Sequence, residues 1–375
     1  MQKFDVIIVG SGFAGSIMAM ILRRQGKSVL MLERGKHPRF AIGESSTPLA
    51  NLLLEEIARK YDLADLATFS KWGTWQTAHP EIACGLKRGF TFYQHQFGKH
   101  VDFTDRQRQL LVAASPHDQI ADTHWYRPDF DAHLANKARD LGVELIQEAE
   151  FQVGSEDWII EGKSPQGPFT VQCDFLIDAS GPRGFLYRHF GFKENTDGFP
   201  DNEALFAHFR GVKRIDFHDD QLPFPVDDAA VHHIFDGGWI WVLRFNNGIT
   251  SAGASVSREL ARELRLNEGP QAWARLLERL PTLKKQFATA TPTTEFYYQP
   301  KIAFRSPRAS GRNWVMLPSA AGFVDPLFST GFVLTLLGIM RMGENMPGDE
   351  YESVTFRELD TTAALVASAF GSFSD

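Results

Sequence analysis

The sequence predicts an α/β protein of two interleaved domains, and three observations on the 375-residue chain lead to that class. Two apolar runs within residues 4–32 flank a stretch of helical apolar spacing, which is the order of a βαβ unit. Runs between residues 89 and 300 alternate aromatic or β-branched residues with polar ones, which predicts a second sheet. An apolar strand at residues 314–317 then returns towards the first sheet and leads into a helix at residues 332–340.

Composition excludes several classes of protein before any motif is considered. The formal net charge is −7 and the 39 lysines and arginines are scattered, so we expect neither nucleic acid nor a membrane as a partner. Cys84 and Cys173 are the only cysteines and lie far apart, which argues against a disulfide framework or a metal cluster. The first strand begins at Lys3 or Phe4 and leaves no room for a signal peptide, so we expect a cytoplasmic protein.

The first βαβ unit carries a glycine pattern in which each glycine has a physical role. The strand at residues 4–9 runs into Gly10, Gly12 and Gly15, and a helix follows. Gly10 permits a tight turn, Gly12 lets the backbone approach a pyrophosphate, and Gly15 lets the helix lie close on the strand. The helix N-terminus offers free N–H groups to phosphates, so this segment predicts a dinucleotide site.

An acidic residue follows at the position that such a site requires. The second strand, residues 28–32, ends in Glu33, whose carboxylate can accept both ribose hydroxyls of an adenosine. We place the adjacent Arg34 among the cofactor-binding residues as well. Strand, glycines, helix, strand and acid in this order are more specific than the glycine pattern alone.

The rest of the chain alternates helix and strand signals. Apolar spacing predicts further helices at residues 49–66, 129–141, 270–280 and 361–370. Alternating aromatic and polar residues at 89–97 lie within a longer strand-like stretch, residues 72–103, and a β-meander is predicted at residues 150–173. Because the last helix stops close to Asp375, we expect the natural fold to extend further.

Five segments carry a family resemblance: Gly10-Ser11-Gly12-Phe13-Ala14-Gly15, Gly43-Glu44-Ser45, Asp178-Ala179-Ser180-Gly181, Trp239-Ile240-Trp241 and the run from Phe323 to Gly331. In this order they resemble the FAD-dependent monooxygenase superfamily, most closely its flavin-dependent halogenases of the tryptophan halogenase type. The resemblance covers nearly the whole chain. It implies an α/β fold with a Rossmann-type FAD-binding domain, glutathione reductase-like, interleaved with a mixed β-sheet substrate domain.

The resemblance also implies where the two domains divide. The FAD-binding domain is expected to be discontinuous and to comprise residues 1–75, 105–185 and 301–375. The substrate-binding domain is expected to comprise residues 76–104 and 186–300. We expect FAD to be the cofactor, with chloride or bromide as the halide.

The run from Phe323 to Gly331 is the most specific of the five segments. In the resembled family, a turn of this kind brings a helix N-terminus to the flavin, and its backbone amides hold the halide. The resemblance therefore implies Thr330 and Gly331 as halide-binding residues and Asp325 as a cofactor-binding residue. An anion at a helix N-terminus is physically reasonable, since free N–H groups and the positive end of the dipole meet there. An ordinary helix cap is the alternative.

Two catalytic residues are implied by the same resemblance. Lys87, which precedes an aromatic strand, matches the lysine that hydrogen-bonds hypohalous acid or forms a chloramine, and Lys71 is the second candidate. Most lysines are solvated at the surface, which is the alternative for Lys87. Glu44 matches the family carboxylate near the flavin, although it could equally cap the helix that starts near Pro48.

The Trp239 and Trp241 segment resembles the family element thought to keep substrate away from the flavin. Both rings share one face of a strand, so they line the substrate pocket or form a structural wall. The element departs from the family pattern, because Leu243 and Arg244 stand where isoleucine and proline are usual.

Further cofactor contacts are implied at Ser45, Arg127, Asp178 and Ser319. Arg127 matches an arginine that contacts FAD phosphate or ribityl groups, for which a guanidinium is suited, and a salt bridge at a helix start is the alternative. Ser319 stands where the superfamily usually has an aspartate, so we expect FAD to be held loosely. The sequence has no second glycine pattern for NAD(P)H, which implies a separate flavin reductase as a partner.

No metal site is expected. His232 and His233 are adjacent in a predicted strand and would point to opposite faces, and we find no metal-ligand spacing elsewhere.

Three functions are compatible with the residues. The first is a two-component FAD-dependent halogenase acting on an electron-rich aromatic substrate, free or tethered to a carrier protein. The second is an FAD-dependent monooxygenase that hydroxylates an aromatic small molecule or a tryptophan of a partner protein, which the altered tryptophan element favours. The third is a flavin-binding protein that reduces an isoprenoid or acts as a non-catalytic partner.

Overall fold

The computed structural model describes residues 1–103, 105–113, 115–154, 158–215, 222–346 and 350–373. Its α-helices are Phe13–Arg24, Pro48–Lys60, Ala64–Ala67, Trp72–Ala78, Arg127–Asp140, Phe185–His189, Arg258–Leu264, Pro270–Arg279, Pro281–Gln286, Pro318–Ala321, Thr330–Glu344 and Tyr351–Gly371. Among the described residues, none of these helices combines the length and the apolar character that spanning a bilayer requires.

Eight strands of the described residues form the first sheet. Across the sheet the order is Ser310–Gly311, Trp314–Met316, Gly167–Asp178, Gln2–Val9, Val29–Leu32 and Glu144–Ile146, and the hairpin Glu150–Val153 and Trp158–Ser164 continues from Gly167–Asp178. Neighbouring strands from Trp314–Met316 to Glu144–Ile146 are parallel. The predicted Rossmann-type domain is confirmed, and its strands come from both ends of the chain.

Burial explains the apolar runs of this sheet. Val6, Ile7 and Ile8 are all fully buried, because helices cover both faces of a parallel sheet. Helix Phe13–Arg24 packs against helices Arg127–Asp140 and Thr330–Glu344. The N-terminal ends of Phe13–Arg24 and Thr330–Glu344 therefore lie in one layer.

The second sheet also contains eight strands of the described residues. Its order is Thr291–Pro292, Asn202–Arg210, Thr250–Ser257, Gly238–Arg244, Ala230–Phe235, Gly89–Gln94 and Gln109–Ala113, and Tyr297–Gln299 pairs with Asn202–Arg210 as well. The pairing of Ala230–Phe235 with Gly89–Gln94 is parallel and the others are antiparallel, so the predicted mixed sheet is confirmed.

Alternation along the strand Gly238–Arg244 separates the two faces of this sheet. Ile240 and Val242 join the core formed with the helices between residues 258 and 286. Trp239 and Trp241 face the other way and pack with Leu327 from the Phe323–Gly331 turn. The candidate site therefore lies between the second sheet and that turn.

Two predictions about local structure differ from the observed fold. Residues 72–78 form a helix, although they were included in the strand-like stretch, because their tryptophans at positions 72 and 75 follow a helical spacing. Strand Gln109–Ala113, which lies in the range expected for the FAD-binding domain, pairs with Gly89–Gln94 of the second sheet. The predicted domain division otherwise stays a prediction.

A small antiparallel ribbon joins the two domains. Strand Cys84–Lys87 pairs with Asp122–Trp125, and Lys87 lies directly opposite Asp122. Ser45 forms a β-bridge to His124 of the same ribbon. The ribbon thereby brings Lys87 to the Gly43-Glu44-Ser45 motif.

Candidate active site

The glycine turn has the close approaches that the pattern predicts. Gly10 has a φ of +101°, and a Cβ there would lie 2.6 Å from the carbonyl oxygen of Ala179. A Cβ on Gly15 would lie 2.0 Å from the carbonyl oxygen of Gly10. The helix Phe13–Arg24 can therefore start this close to the first strand only without a side chain at position 15.

Glu33 is buried at the end of the second strand and is held by several donors. Its carboxylate accepts hydrogen bonds from the Ser11 N–H at 3.1 Å, the Gly35 N–H at 2.9 Å and Arg39 Nη2 at 3.0 Å. Burial raises the pKa of Glu33, but the charge of Arg39 and these hydrogen bonds outweigh it and lower the pKa to about 2. The arginine that reaches Glu33 is thus Arg39, whereas Arg34 is exposed.

Two guanidinium groups border the backbone of Gly12. A Cβ on Gly12 would lie 3.5 Å from Nη2 of both Arg39 and Arg127, and 3.3 Å from Asp131 Oδ2. The Nε of Arg39 is buried without a hydrogen-bond partner among the described residues. A glycine that leaves room, two cations and an unsatisfied donor suit a diphosphate, so this turn fits the predicted dinucleotide.

Arg127 also has the ion pair that was the alternative to a phosphate contact. Its Nε and Nη2 bind the two oxygens of Asp131 at 2.7 and 2.8 Å. Its Nη1 donates to the carbonyl oxygens of Ile42 and Gly43 at 3.0 and 2.9 Å. Arg127 therefore links the first turn of helix Arg127–Asp140 to the Gly43-Glu44-Ser45 motif. Its contact with FAD stays a prediction.

Asp178 and Ser319 both lie at the carboxyl end of the first sheet. The Asp178 carboxylate is buried and accepts hydrogen bonds from the Ser180 hydroxyl at 2.5 Å and the Leu186 N–H at 2.6 Å. Its backbone oxygen accepts the N–H of Leu317, two residues before the half-buried Ser319. Asp178 thus holds the start of the helix Phe185–His189, which is a structural role beside the predicted cofactor role.

Asp325 is the centre of a buried network between the turn and the second sheet. Its carboxylate accepts hydrogen bonds from the Ser255 hydroxyl at 2.7 Å, the Leu327 N–H at 3.0 Å and Asn202 Nδ2 at 3.4 Å. Burial raises the pKa of Asp325 to about 6, and the hydrogen-bond donors around it limit the rise. The network fixes the turn that precedes Thr330.

Thr330 and Gly331 form the first helical turn of Thr330–Glu344. Ser329 precedes them in a left-handed conformation, with a φ of +55°. The sequence of this first turn contains no acidic residue, so its free N–H groups and dipole end favour an anion. Both residues are half-buried, and Gly331 approaches the ring of Phe323.

Lys87 is fully buried and hydrogen-bonded through its amine. Nζ donates to the Ser45 hydroxyl at 2.9 Å and to the Ser46 carbonyl oxygen at 2.5 Å, and it lies 3.9 Å from the centre of the Phe90 ring. Burial lowers the pKa of Lys87, and the charge of Asp122 opposes this. The surface alternative for Lys87 is therefore excluded, whereas Lys71 is half-buried in an ion pair with Glu55.

Glu44 is buried and bound to a histidine of the second sheet. Its Oε1 lies 2.6 Å from His208 Nε2, and its Oε2 is buried without a partner among the described residues. Thr47, rather than Glu44, caps the helix Pro48–Lys60 with its side chain. The capping alternative for Glu44 is therefore wrong, since the carboxylate faces the second domain instead.

Aromatic rings connect the lysine site with the Phe323–Gly331 turn. The His232 ring is stacked on Trp239, with 4.9 Å between centroids, and lies 5.7 Å from the Phe90 ring under Lys87. Burial lowers the pKa of His232 to about 3, so the ring is neutral. Trp241 lies 5.6 Å from Trp239 on the same face, as predicted.

An apolar cavity of about 400 Å³ opens beside the same turn. Its lining combines the strand that follows Lys87, the turn and the end of the last helix: Phe92, Ile234, Leu327, Phe328 and Phe373. Polar side chains border it, among them Gln94 and Arg108. A small aromatic molecule is of suitable size for this cavity.

Several polar residues of this site were missed by sequence reasoning. Asp122, His208 and His124 are buried within it, and Arg39 lies at the glycine turn. Asp122, His208 and His124 come from segments remote in sequence from their partners, so spacing could not reveal them. Arg39 lies only six residues from Glu33, and its contact depends on how the intervening loop folds. A polar residue among the alternating apolar positions of a strand, as at His208, was the available signal.

The described residues contain one cluster of potential metal ligands that spacing along the sequence did not reveal. His232 and His233 do face opposite cores, since His233 pairs with His95 at 2.9 Å. Asp65, His79 and His133, however, bring ligand atoms within 4.8 Å of one another. They come from separate helical segments, so no local spacing in the sequence reveals them.

Comparison with known proteins agrees with the geometry. A profile of the tryptophan halogenase family matches residues 113–374, and a profile of an NAD(P)-binding Rossmann-like domain matches residues 8–49. The chain is similar to monodechloroaminopyrrolnitrin halogenase PrnC of Pseudomonas fluorescens, with 30% identity over all of this chain and 69% of the relative. It is similar to tetracycline 7-halogenase of Kitasatospora aureofaciens, with 30% identity over 88% of this chain and 61% of the relative.

Solved structures give the same family. The crystal structure of halogenase PltM in complex with phloroglucinol and FAD has a TM-score of 0.83 and 28% identity, covering 99% of this chain and 77% of that one. The chain thus spans between three fifths and four fifths of the length of these proteins. It belongs to the tryptophan halogenase family of flavin-dependent halogenases, and is an FAD-dependent oxidoreductase that uses a halide.

Proposed function

We propose that Lys87 delivers the halogen to an electron-rich aromatic substrate and that Thr330 and Gly331 bind the halide. The observation that carries this proposal is the burial of Lys87, whose amine is held by Ser45 and Ser46 at the end of an aromatic wall. That wall runs by way of Phe90, His232 and Trp239 to the turn that bears the halide residues.

The residues of the first domain hold the cofactor. Gly12 leaves room for the diphosphate, Arg39 and Arg127 supply positive charge, and the ionised Glu33 stands at the end of the second strand. When bound and reduced, FAD supplies the reaction with O2 and halide that forms hypohalous acid. The backbone amides of Thr330 and Gly331 hold the halide by hydrogen bonds and by the helix dipole.

Lys87 takes the halogen as a neutral amine. Burial favours loss of its proton, and the lone pair of Nζ then accepts the halogen from hypohalous acid with release of water. The N–halogen bond breaks when the aromatic ring attacks the halogen, and Nζ takes up the proton that the ring then loses, which restores the neutral amine. Ser45 and Ser46 orient the amine throughout.

Trp239 and Trp241 keep water and substrate out of the space between lysine and turn. Both indoles are buried, and Trp241 fits against Gly253 of the next strand, where a Cβ would lie 2.3 Å from its ring. Arg244, which replaces the usual proline, donates to the carbonyl oxygens of Val212 and Lys213 at the end of the strand. Arg244 therefore lies at the end of the strand beyond the two indoles, whereas Leu243 packs with them.

The apolar cavity beside Leu327 and Phe328 is the proposed substrate site. Its aromatic lining suits a planar ring, and its polar border with Gln94 and Arg108 suits a substrate with hydrogen-bonding groups. Relatives of 25–26% identity include enzymes named for pyrrole carried on a peptidyl carrier protein, so a tethered substrate is also proposed.

A separate flavin reductase is proposed as the source of reduced FAD, since the sequence has a single dinucleotide pattern. We also propose a cytoplasmic location. Cys84 and Cys173 are both buried free thiols, which suits a reducing compartment.

Hydroxylation is the second candidate. It is favoured by Leu243 and Arg244, which depart from the family's tryptophan element. In that reaction the aromatic substrate would receive oxygen, and neither a halide nor the Lys87 amine would take part.

A product assay distinguishes the two reactions. The purified chain is supplied with FAD, a flavin reductase, NADH and O2, together with indoles, phenols or pyrroles and either bromide or chloride. Products that carry the halogen isotope pattern support the proposal. Products that gain only oxygen, in equal yield with and without halide, would show a hydroxylase.

A further inference from the structure

Three helical segments bring two imidazoles to one carboxylate at the outer side of the first domain. Asp65 lies in helix Ala64–Ala67, His79 follows helix Trp72–Ala78, and His133 lies in helix Arg127–Asp140. His79 Nε2 is 2.9 Å from Asp65 Oδ1, and His133 Nε2 is 2.9 Å from Asp65 Oδ2. The two imidazole centres are 4.8 Å apart.

The cluster is fixed by packing. The ring of Phe69 is fully buried, stacks on His79 with 4.7 Å between centroids and contacts His133 edge-on at 5.2 Å. Both imidazoles are mostly buried, with exposed side-chain fractions of 14% and 16%. Their nitrogen atoms therefore stay directed at the carboxylate, although water and ions can reach it.

A second carboxylate, that of Glu81, influences which ring nitrogen of His79 carries the proton. Glu81 Oε1 lies 3.4 Å from His79 Nδ1, on the other side of the ring from Asp65. When Nδ1 of the neutral ring carries the proton and donates a hydrogen bond to Glu81, Nε2 directs a lone pair at the Asp65 carboxylate. Two lone pairs this close require a cation between them, either a proton or a metal. Carboxylates on the outer nitrogen of a metal-binding histidine are a common arrangement.

We propose that Asp65, His79 and His133 form a binding site for one divalent transition-metal ion of the Zn²⁺ type. Two imidazole nitrogens and one carboxylate oxygen are ligands that Zn²⁺ prefers, and water would complete the coordination. Donors around Zn²⁺ are roughly 3.3 Å apart for metal–ligand bonds near 2.0–2.2 Å. The donor atoms here lie within 4.8 Å of one another, so small side-chain rotations are sufficient.

Lys137 is the charge that competes with such an ion. Its Nζ lies 3.7 Å from Asp65 Oδ2, and 40% of its side chain is exposed, so it can turn into solvent. The hydrogen bond from His133 lowers the pKa of Asp65, burial opposes this, and Lys137 lowers it further, to about 2.

The expected effect of the ion is structural. Helix Arg127–Asp140 contributes His133 and also Arg127 and Asp131, which border the glycine turn. An ion that joins this helix to Asp65 and His79 would stabilise the wall of the FAD-binding domain. The site does not depend on the proposed halogenation, since it lies outside the machinery assigned to it.

Metal binding by the chelator-treated protein tests the proposal. Titration calorimetry with Zn²⁺ should give one site per chain, and Co²⁺ should give the visible absorption of a low-coordinate N/O site. His79→Asn and His133→Asn should each remove that site, whereas the exposed His100→Asn should keep it. Glu81→Gln should weaken binding about tenfold, as expected for a group that orients a ligand. Lys137→Met should tighten it.

The Lys137→Met variant separates a metal site from a simple hydrogen-bonded cluster. A competing cation is lost, so a metal should bind at least threefold more tightly, whereas a hydrogen-bonded cluster predicts no change in Zn²⁺ affinity. Circular dichroism of each variant without metal confirms that it is folded. Equal Zn²⁺ stoichiometry and affinity in folded His79→Asn, His133→Asn and wild-type protein would overturn the proposal.

Discussion

Lys87 Nζ donates a 2.9 Å hydrogen bond to the hydroxyl of Ser45, 42 residues earlier in the chain. Ser45, which lies beside Glu44, therefore orients the lysine, and its expected contact with the cofactor stays a prediction. On the other side of the motif, Glu44 binds His208 of the second sheet. The Gly43-Glu44-Ser45 motif thus joins the proposed catalytic lysine to both domains, and this arrangement defines several experiments.

Replacing Lys87 with alanine should reduce the rate of halogenation by at least about 100-fold, because the group that accepts the halogen is lost. Binding of FAD, followed by flavin fluorescence, should change little. Lys71→Ala is the matched control, since that lysine is half-buried in an ion pair with Glu55. If Lys71→Ala lost most of the halogenation rate while Lys87→Ala remained active, the lysine that accepts the halogen would be Lys71.

Asp122→Asn should shift the pH dependence of halogenation. Burial lowers the pKa of Lys87 and the negative charge of Asp122 raises it again, so removal of that charge lowers the Lys87 pKa further. If the neutral amine is the reactive form, the acidic limb of the kcat profile moves to lower pH. An unchanged limb would show that this limb reports another group.

Replacing His208 with alanine should cost about 1–3 kcal/mol in the free energy of unfolding, because the Glu44 carboxylate is left buried without its partner. Glu44→Gln in the same background should recover part of the loss, since a neutral amide is less costly to bury. Urea denaturation of the two variants and the double variant measures this. Additive losses would mean that the pair is not coupled.

Gly15→Ala should weaken FAD binding at least about tenfold and destabilise the fold by about 1–3 kcal/mol. The added Cβ would lie 2.0 Å from the Gly10 carbonyl oxygen and would push the helix from the strand. Gly371→Ala is the control, since its Cβ meets nothing within 4 Å. Flavin titration and thermal unfolding of both variants compare them; equal behaviour would contradict the steric argument.

Asp325→Asn should change how stability depends on pH. Burial raises the pKa of Asp325 from 3.8 to about 6, so the folded state binds its proton more tightly than the unfolded state. The free energy of unfolding of the wild type therefore falls, through this group, as pH rises between about 4 and 6. The asparagine variant lacks that loss. Relative to wild type, it should gain about 2–3 kcal/mol between pH 4 and pH 7.5 in urea denaturation.

Local patterns could be predicted from sequence, and contacts across the chain could not. The βαβ unit with Gly10, Gly15 and Glu33 was predictable because each role depends on neighbours within one short segment. The choice of Arg39 over Arg34 was not, because it depends on how the loop after Glu33 folds back over the carboxylate. Alternation along the second sheet correctly placed Trp239 and Trp241 on one face.

The lysine site shows the same limit. Lys87 was identified by resemblance, but its burial depends on the ribbon that pairs it with Asp122, 35 residues later. His208 reaches Glu44 over 164 residues, a distance at which no spacing rule operates. The Asp65, His79 and His133 cluster was missed for this reason too, since three separate segments must pack before it exists.

The order of strands in the first sheet has a consequence for biosynthesis. Gln2–Val9 has two parallel neighbours: Val29–Leu32 follows it closely in the chain, whereas Gly167–Asp178 comes much later, and the next strand beyond that is Trp314–Met316. Such non-local pairing is slow, and one edge of Gln2–Val9 remains unpaired until residues 167–178 have been synthesised. The glycine turn, which packs against Ala179, therefore gains its full support only after that strand has been made.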